Sequence, residues 1–376
     1  MENMDFYLNT PSKVIFGWGK AQSLLPELVK GIDRLLILTG KTFGSSQEFA
    51  RLKDSLLKEG KEILHIAGVQ PEPPLTEVER LLAAGREFRA ESLIAIGGGS
   101  ILDAGKTVAA LFTAEGSVEE YFYGKREVTG KGIPCIALPT TSGTGAEITS
   151  NAVLTDEKTQ IKKSLRAPGM TPAVALCDPE LTVSCPPALT AHSGLDAFVQ
   201  AFESCTSAKS SPYSKALAYE ALKLIVKYLP SACKNGKDKE ARTAMAEASL
   251  LTAMAFTTTG LGAIHGLAHP IGSLLHVPHG LACALLIEEI LKWNISCCNE
   301  YGKMAKILSW GDSGEDFLRE AVKFADSFQI GKGFGKLGLK REDFPFIIAN
   351  CRSASMKGNP RHLSDSDVEM ILEHLL

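Results

Sequence analysis

Three apolar runs in the first hundred residues constrain this chain more than any other feature: "LLILTGKTFG" at 35–44, "EILHIAG" at 62–68 and "SLIAIGGGS" at 92–100. None alternates polar with apolar positions, so each is expected to be a strand covered on both faces. The segments between them, "EFARLKDSLLKEG" and "LTEVERLLAAGREFRA", have helical spacing, and "SKVIFGWG" at 12–19 predicts a short opening strand with a glycine turn. Strand–helix–strand alternation of this kind specifies a parallel, doubly wound sheet with right-handed crossovers.

After about residue 185 the pattern changes to helical period alone, in "LTAHSGLDAFVQAFESC", "PYSKALAYEALKLIVKYL", "KEARTAMAEASLLTAMAF", "ALLIEEILKWN" and "DSDVEMILEHLL". A chain of 376 residues is long for one core,. The expected organisation is therefore an α/β domain with a parallel sheet at 1–184 and an all-helical domain at 185–376, joined by the proline-rich "DPELTVSCPPALT".

A net charge of −3 carries no basic excess, which argues against nucleic acid or an anionic membrane as partner,. Apolar stretches such as "LACALLI" are too short to span a bilayer, and "MENMDFYLNTPSKVIFG" lacks the pattern of a signal peptide,. The nine cysteines include one adjacent pair, Cys297 and Cys298, and no CxxC. They read as core filler in a reduced, cytoplasmic compartment.

Two loops carry phosphate-binding chemistry. "GGGSILDAGK" follows a strand and opens a helix, so Gly97, Gly98 and Gly99 let the backbone approach a diphosphate, and the helix start supplies positive potential,. Ser100 is expected to cap that helix with Asp103 as its acidic partner three residues on. "LPTTSGTGAE" at 138–147 follows the apolar "IPCIA" and gathers Thr140, Thr141, Ser142 and Thr144 among glycines, a loop suited to ribose or phosphate,. Two such loops at strand carboxyl ends point to a dinucleotide.

The chain's histidines concentrate in "GAIHGLAHPIGSLLHVPHG" at 262–280, as His265, His269, His276 and His279, with no charged neighbour in the stretch. His265 and His269 are four apart, but Pro270 and Pro278 are expected to break helical geometry, so the imidazoles would converge from separate short segments. In "HSGLDAFVQAFES" Ser193 has the character of an N-cap, with Asp196, Gln200 and Glu203 on one helical stripe,. Asp196 at the third helical position would complement the helix N-terminus; set beside two imidazoles, it also suits a catalytic Zn²⁺ or Fe²⁺ with an open position.

At these residues the chain resembles the iron-containing, group III alcohol dehydrogenases of the dehydroquinate synthase-like superfamily. The resemblance runs nearly end to end, through "FGWG", "GGGSILDAGK", "PTTSGTGAE", "DPEL", "GLDAFVQAFES", "GLGAIHGLAHPIG", "VPHG" and "NPR" at 359–361. It implies hydride transfer between NAD(P) and a small-molecule alcohol or its aldehyde or ketone, with the metal in a cleft between the two domains and a homodimer as the assembly. It places metal ligands on Asp196, His265 and His279, and His269 near the nicotinamide in the proton path. The family usually has a histidine where this chain has Gln200, which leaves open a three-ligand site, a four-ligand site using Gln200, or a weakened or lost metal; Fe²⁺ and Zn²⁺ are both compatible. NAD-preferring relatives often carry an aspartate after the first cofactor strand; Gly40, Lys41 and Thr42 stand there instead, so NADP is acceptable beside NAD. Lys162, by its distance from Pro172, matches a family lysine near the cofactor, with Lys163 the alternative. A dehydroquinate synthase-like or glycerol dehydrogenase-like zinc enzyme, or a dinucleotide binder without turnover, are the competing readings.

Overall fold

The structure, a computed structural model, describes residues 5–376, so the first four residues of the N-terminal stretch read above lie outside the described residues. Two compact units are present, Asn9–Cys185 and Pro186–Leu376, with residues 5–8 belonging to the second. In that second unit Phe6 stacks on Tyr213, the ring centroids 4.8 Å apart.

In the first unit the elements run β1 (Lys13–Phe16), α1 (Lys20–Leu28), β2 (Arg34–Thr39), α2 (Lys41–Gly44), α3 (Gln47–Lys58), β3 (Glu62–Ala67), α4 (Leu75–Phe88), β4 (Ser92–Gly97), α5 (Gly99–Leu111), α6 (Val118–Phe122), β5 (Cys135–Pro139), β6 (Asn151–Asp156), β7 (Ile161–Arg166) and β8 (Val174–Cys177). Six strands form a parallel sheet in the order β1-β8-β5-β4-β2-β3, with Leu36 opposite Leu93 and Ala95 opposite Ala137. Successive side chains in the central strands bury into opposite faces. Leu36, Leu38, Leu93 and Ala95 pack with Val78 and Leu81 of α4 and Leu102 of α5, while Leu35, Ile37, Ile94 and Ile96 pack with Leu25 of α1 and Leu52 of α3. At about 2 kcal/mol for each aliphatic side chain buried, covering both faces is what makes unbroken apolar strands stable.

β3 departs from the expected fully covered strand. It is the outermost strand, pairs only with β2, and leaves all six residues partly or fully exposed. The antiparallel hairpin β6–β7 was not foreseen, because its alternation is short and its second strand, "IKKSLR", is mostly half-exposed.

The order of strands sets the ligand edge. From β2 the chain steps outward to β3, then returns to lay β4 on the other side of β2. Crevices at such a reversal, outside the strand carboxyl ends, are where open α/β sheets bind ligands.

The second unit is helical: α7 (Pro187–Thr206), α8 (Pro212–Lys234), α9 (Lys239–Thr259), α10 (Ala263–Leu275), α11 (His279–Asn294), α12 (Glu300–Ile307), α13 (Gly314–Asp326), α14 (Phe344–Asn350), α15 (Ala354–Gly358) and α16 (Asp365–His374). α7 is its central helix, buried without interruption from Gly194 to Thr206, with Phe198 and Phe202 against Phe317. No single described helix is long and apolar enough to cross a membrane; α9 and α10 pass that test only as a pair bent by 103°.

Two expectations about this unit need correction. α7 starts at Pro187, because a proline's fixed φ suits the first helical position,. Ser193 is therefore inside the helix, its hydroxyl donating to the Thr190 carbonyl, and Asp196 lies more than two turns in, with no capping role to explain its burial. α10 also runs straight through Pro270, so His265 and His269 share one helix. Full burial of Ile264, Leu267, Ala268 and Ile271 outweighs the one backbone bond that proline removes,. The chain breaks only at His276, in the left-handed region at φ 54°, before Pro278 precedes α11.

Candidate active site

α7, α10 and α11 bring a buried carboxylate and two imidazoles to one point. Asp196 Oδ1 lies 3.1 Å from His265 Nε2 and 3.9 Å from His279 Nε2. Asp196 and His265 are each 2% exposed. The other nitrogen of His265, Nδ1, is 2.6 Å from Glu203 Oε2, and the second oxygen of Glu203 accepts the Ile264 N–H at 2.8 Å. Glu203 thus ties down the first turn of α10 and orients the ring so that Nε2 faces Asp196.

Glycine makes the approach of these helices close enough. A Cβ on Gly280 would sit 2.1 Å from the His192 carbonyl oxygen, so α11 touches α7 directly after His279. A Cβ on Gly262 would sit 2.6 Å from Glu203 Oε1.

His269, one turn after His265, stacks on His279 with centroids 5.0 Å apart and planes within 18°. Gln200, one turn after Asp196, is 3% exposed, and its Oε1 has no hydrogen-bond partner among the described residues. A buried amide oxygen left so costs about 1–3 kcal/mol, a deficit that a cation in the cluster removes. The donors present therefore fit a divalent metal. Burial opposes charge on His265, but the Cys283 thiol, Glu203 and Asp196 beside it outweigh burial and hold its pKa well above the ordinary imidazole range.

Sequence reading missed Cys283. Its sulfur belongs to the same group of possible metal-binding atoms as Asp196, His265 and His279, all within 4.8 Å of one another. The signal is its position four residues after His279 in "HGLAC", masked by the scatter of the other cysteines along the chain. Six of the nine are indeed buried, and burial pushes the Cys283 thiol up to about 11.

In the α/β unit the predicted loops meet at the sheet's carboxyl edge. Gly40–Thr42 follows β2, Gly97–Ser100 follows β4, and Thr140–Thr144 follows β5. The Thr140 N–H donates to the Gly97 carbonyl at 3.0 Å. Cβ atoms on Gly98 and Gly99 would meet Thr141 at 3.4 Å and Thr144 at 2.8 Å, so only bare backbone lets the two loops lie this close. The Ser142 hydroxyl is buried with no partner among the described residues.

Ser100 and Asp103 do not form the expected cap. The helix begins two residues early, with Gly98 as N-cap and no side chain capping it. Ser100 Oγ instead accepts the Glu72 N–H at 3.0 Å. Asp103 is turned away, pairing with Lys106 Nζ at 2.9 Å and accepting the Val153 N–H at 2.9 Å. The start of α5 thereby has no side-chain cap on its first N–H groups,.

Lys162 and Lys163, neighbours on β7, point to opposite sides of the hairpin. Lys162 Nζ is 2.6 Å from Glu72 Oε1, which links it through Glu72 to Ser100. Lys163 lies over the rings of Phe122 and Tyr123 and belongs to the packing.

Comparison with known proteins identifies the family. The model of the iron-containing alcohol dehydrogenase family matches residues 11–179, and that of the family's C-terminal region matches residues 190–376. Long-chain-alcohol dehydrogenase 1 of Geobacillus thermodenitrificans (strain NG80-2) is 33% identical over 370 residues, covering 95% of this chain and 93% of its own. The NADPH-dependent butanol dehydrogenase of Clostridium saccharobutylicum is 32% identical, with 96% of each chain covered. Among solved structures, sulfoacetaldehyde reductase from Bifidobacterium kashiwanohense in complex with NAD⁺ superposes with a TM-score of 0.90 at 30% identity, covering 99% of each chain. Matched in both units and along nearly its whole length, the chain belongs to the iron-containing alcohol dehydrogenases and catalyses metal-assisted, NAD(P)-dependent interconversion of an alcohol and its aldehyde or ketone.

Proposed function

We propose that Asp196, His265 and His279, with Gln200 beside them, hold the divalent metal, and that the loops at 40–42, 97–100 and 140–144, with Lys162, hold the dinucleotide. The observation that carries this reading is the convergence of Asp196 Oδ1 with two imidazoles, one of them fixed by Glu203. When bound, the metal supplies Lewis acidity to the substrate oxygen and the nicotinamide supplies or accepts the hydride. Glu203 keeps the Nδ1 proton of His265, so that Nε2 presents its lone pair,. His269, stacked on His279, gives a proton to the oxygen of the reduced substrate and takes one back in the reverse direction,. The uncapped start of α5 and the Thr140–Thr144 hydroxyls bind the diphosphate and ribose; Asp103 anchors α5 to β6 and supports that loop from behind.

The test is metal stripping. Protein purified without chelator should carry stoichiometric zinc or iron and reduce aldehydes with NADPH; chelation should abolish turnover and reloading should restore it. Stripped protein with undiminished turnover would sink the reading.

We infer further that NADP(H) is preferred. Gly40 has φ −68° and ψ 159°, which any residue adopts, and a Cβ there meets only Ile101 at 3.7 Å. No steric demand requires glycine, and Lys41 is exposed beside it. Gly40→Asp should fold normally and repel a 2′-phosphate, lowering kcat/KM for NADPH relative to NADH by about tenfold or more. Steady-state kinetics with both cofactors decide it; an unchanged ratio means that the ribose lies elsewhere. A homodimer suits the open edge of β1, and the nine free cysteines suit a reduced, cytoplasmic setting,.

A further inference from the structure

We propose that Cys283 is a metal ligand in this chain, so that the site is Asp196, His265, His279 and a thiolate, and selects zinc over iron. The proposal rests on the three-ligand reading above and adds a fourth donor to it.

Cys283 follows His279 by one helical turn on α11, so both side chains share a face,. Its sulfur is fully buried and lies 3.7 Å from His279 Nε2. Donor atoms bound tetrahedrally at zinc distances stand about 3.5 Å from one another. The separations of 3.1 Å for Asp196–His265, 3.7 Å for His279–Cys283 and 3.9 Å for Asp196–His279 straddle that value. The four atoms are thus already spaced as a coordination shell, with none further than 4.8 Å from another.

Gln200 is the competing donor, and its chemistry is weaker. An amide oxygen is neutral and hard, whereas a thiolate is anionic and soft, and thiolate with imidazole and carboxylate is a set that favours zinc. Metal binding releases the thiol proton, so the high pKa of the free thiol does not prevent ligation.

Cobalt(II) reconstitution of the stripped full-length protein tests this without relying on turnover. The expected spectrum has visible d–d bands and a near-ultraviolet thiolate-to-cobalt charge-transfer band. Cys283→Ser should lose the charge-transfer band, keep the d–d bands, and bind zinc at least tenfold more weakly in a chelator competition. Since Cys283 is buried, circular dichroism and a melting curve accompany the variant, and Cys283→Ala provides a second chance at a folded protein. The wild-type spectrum alone also decides: d–d bands without a charge-transfer band overturn the thiolate ligand and leave the three-ligand reading standing. A charge-transfer band that survives in Cys283→Ser comes from another cysteine, such as the exposed Cys297, and overturns the proposal as well. No d–d bands under any loading overturns the three-ligand reading and the thiolate together.

Discussion

Replacing His265 with alanine should lower kcat/KM for aldehyde reduction on the order of a thousandfold, while the Kd for NADPH changes little. A bound Lewis acid contributes several kcal/mol to stabilising a developing alkoxide, and each 1.36 kcal/mol is tenfold in rate. His265 sits between two carboxylates, with Asp196 3.1 Å from one nitrogen and Glu203 2.6 Å from the other, so its loss takes away both a candidate donor and the group that Glu203 orients. The predicted dinucleotide loops belong to the α/β unit, which folds around its own two apolar layers, so cofactor affinity has no reason to follow. Alanine also leaves two buried carboxylates without their partner. His265→Asn, whose amide still donates to Glu203, guards against reading a folding loss as a catalytic one. The measurements are steady-state rates, metal content and a fluorescence titration with NADPH. Near-normal turnover in a folded, metal-free His265→Ala protein would end the metal-assisted mechanism for this chain.

How much of this was legible in the sequence varied with the range of the interaction involved. The covered strands were plain because positions 35–38 and 93–96 are unbroken apolar runs, and a run of that kind has only one home in an α/β sheet,. β3 looked the same from its residues, but its place at the sheet edge is a fact of strand order, which local pattern does not encode. The candidate donors Asp196, His265 and His279 are legible as residue types, but the helices that carry them are not. Pro270 is a local signal for the end of a helix that tertiary burial carries through, and Ser193 has the character of an N-cap inside a helix that Pro187 begins. The loops at 97–100 and 140–144 were recognisable, but the partners of Ser100 and Asp103 were not. Both are fixed by segments far off in sequence, Glu72 and Val153, and a capping motif three residues long cannot anticipate them. Cys283 was hidden differently, because a buried cysteine looks the same in sequence whether it packs or ligates.

Lys106→Met should lower the unfolding temperature of the α/β unit by roughly 10 °C, the consequence of about 3–5 kcal/mol lost when one partner of a buried ion pair is removed. The Lys106 side chain has no exposed surface. Its ammonium group uses all three donors, on Asp103 Oδ1 at 2.9 Å, Thr149 Oγ1 at 3.0 Å and the Asn151 carbonyl. It thereby fastens α5 to the start of β6, and α5 is the helix whose first turn forms the glycine loop. Without it Asp103 keeps the Val153 N–H but faces no cation. The double change Asp103→Asn with Lys106→Met removes both charges and should recover part of the loss, since a neutral pair carries no stranded carboxylate. A pH series adds a second readout. Burial pushes the Glu147 carboxyl up to about 7, with Lys106 pulling against it. A carboxyl raised in the folded state contributes stability that is full below its unfolded pKa of 4.5 and is lost as pH rises through about 7,. Removing the cation raises Glu147 further, so the Lys106→Met deficit should be smaller at pH 5 than at pH 8. Scanning calorimetry across that range checks both the size and the slope. A variant within about 1 kcal/mol of wild type at every pH would mean that the hairpin docks on α5 through its apolar contacts alone.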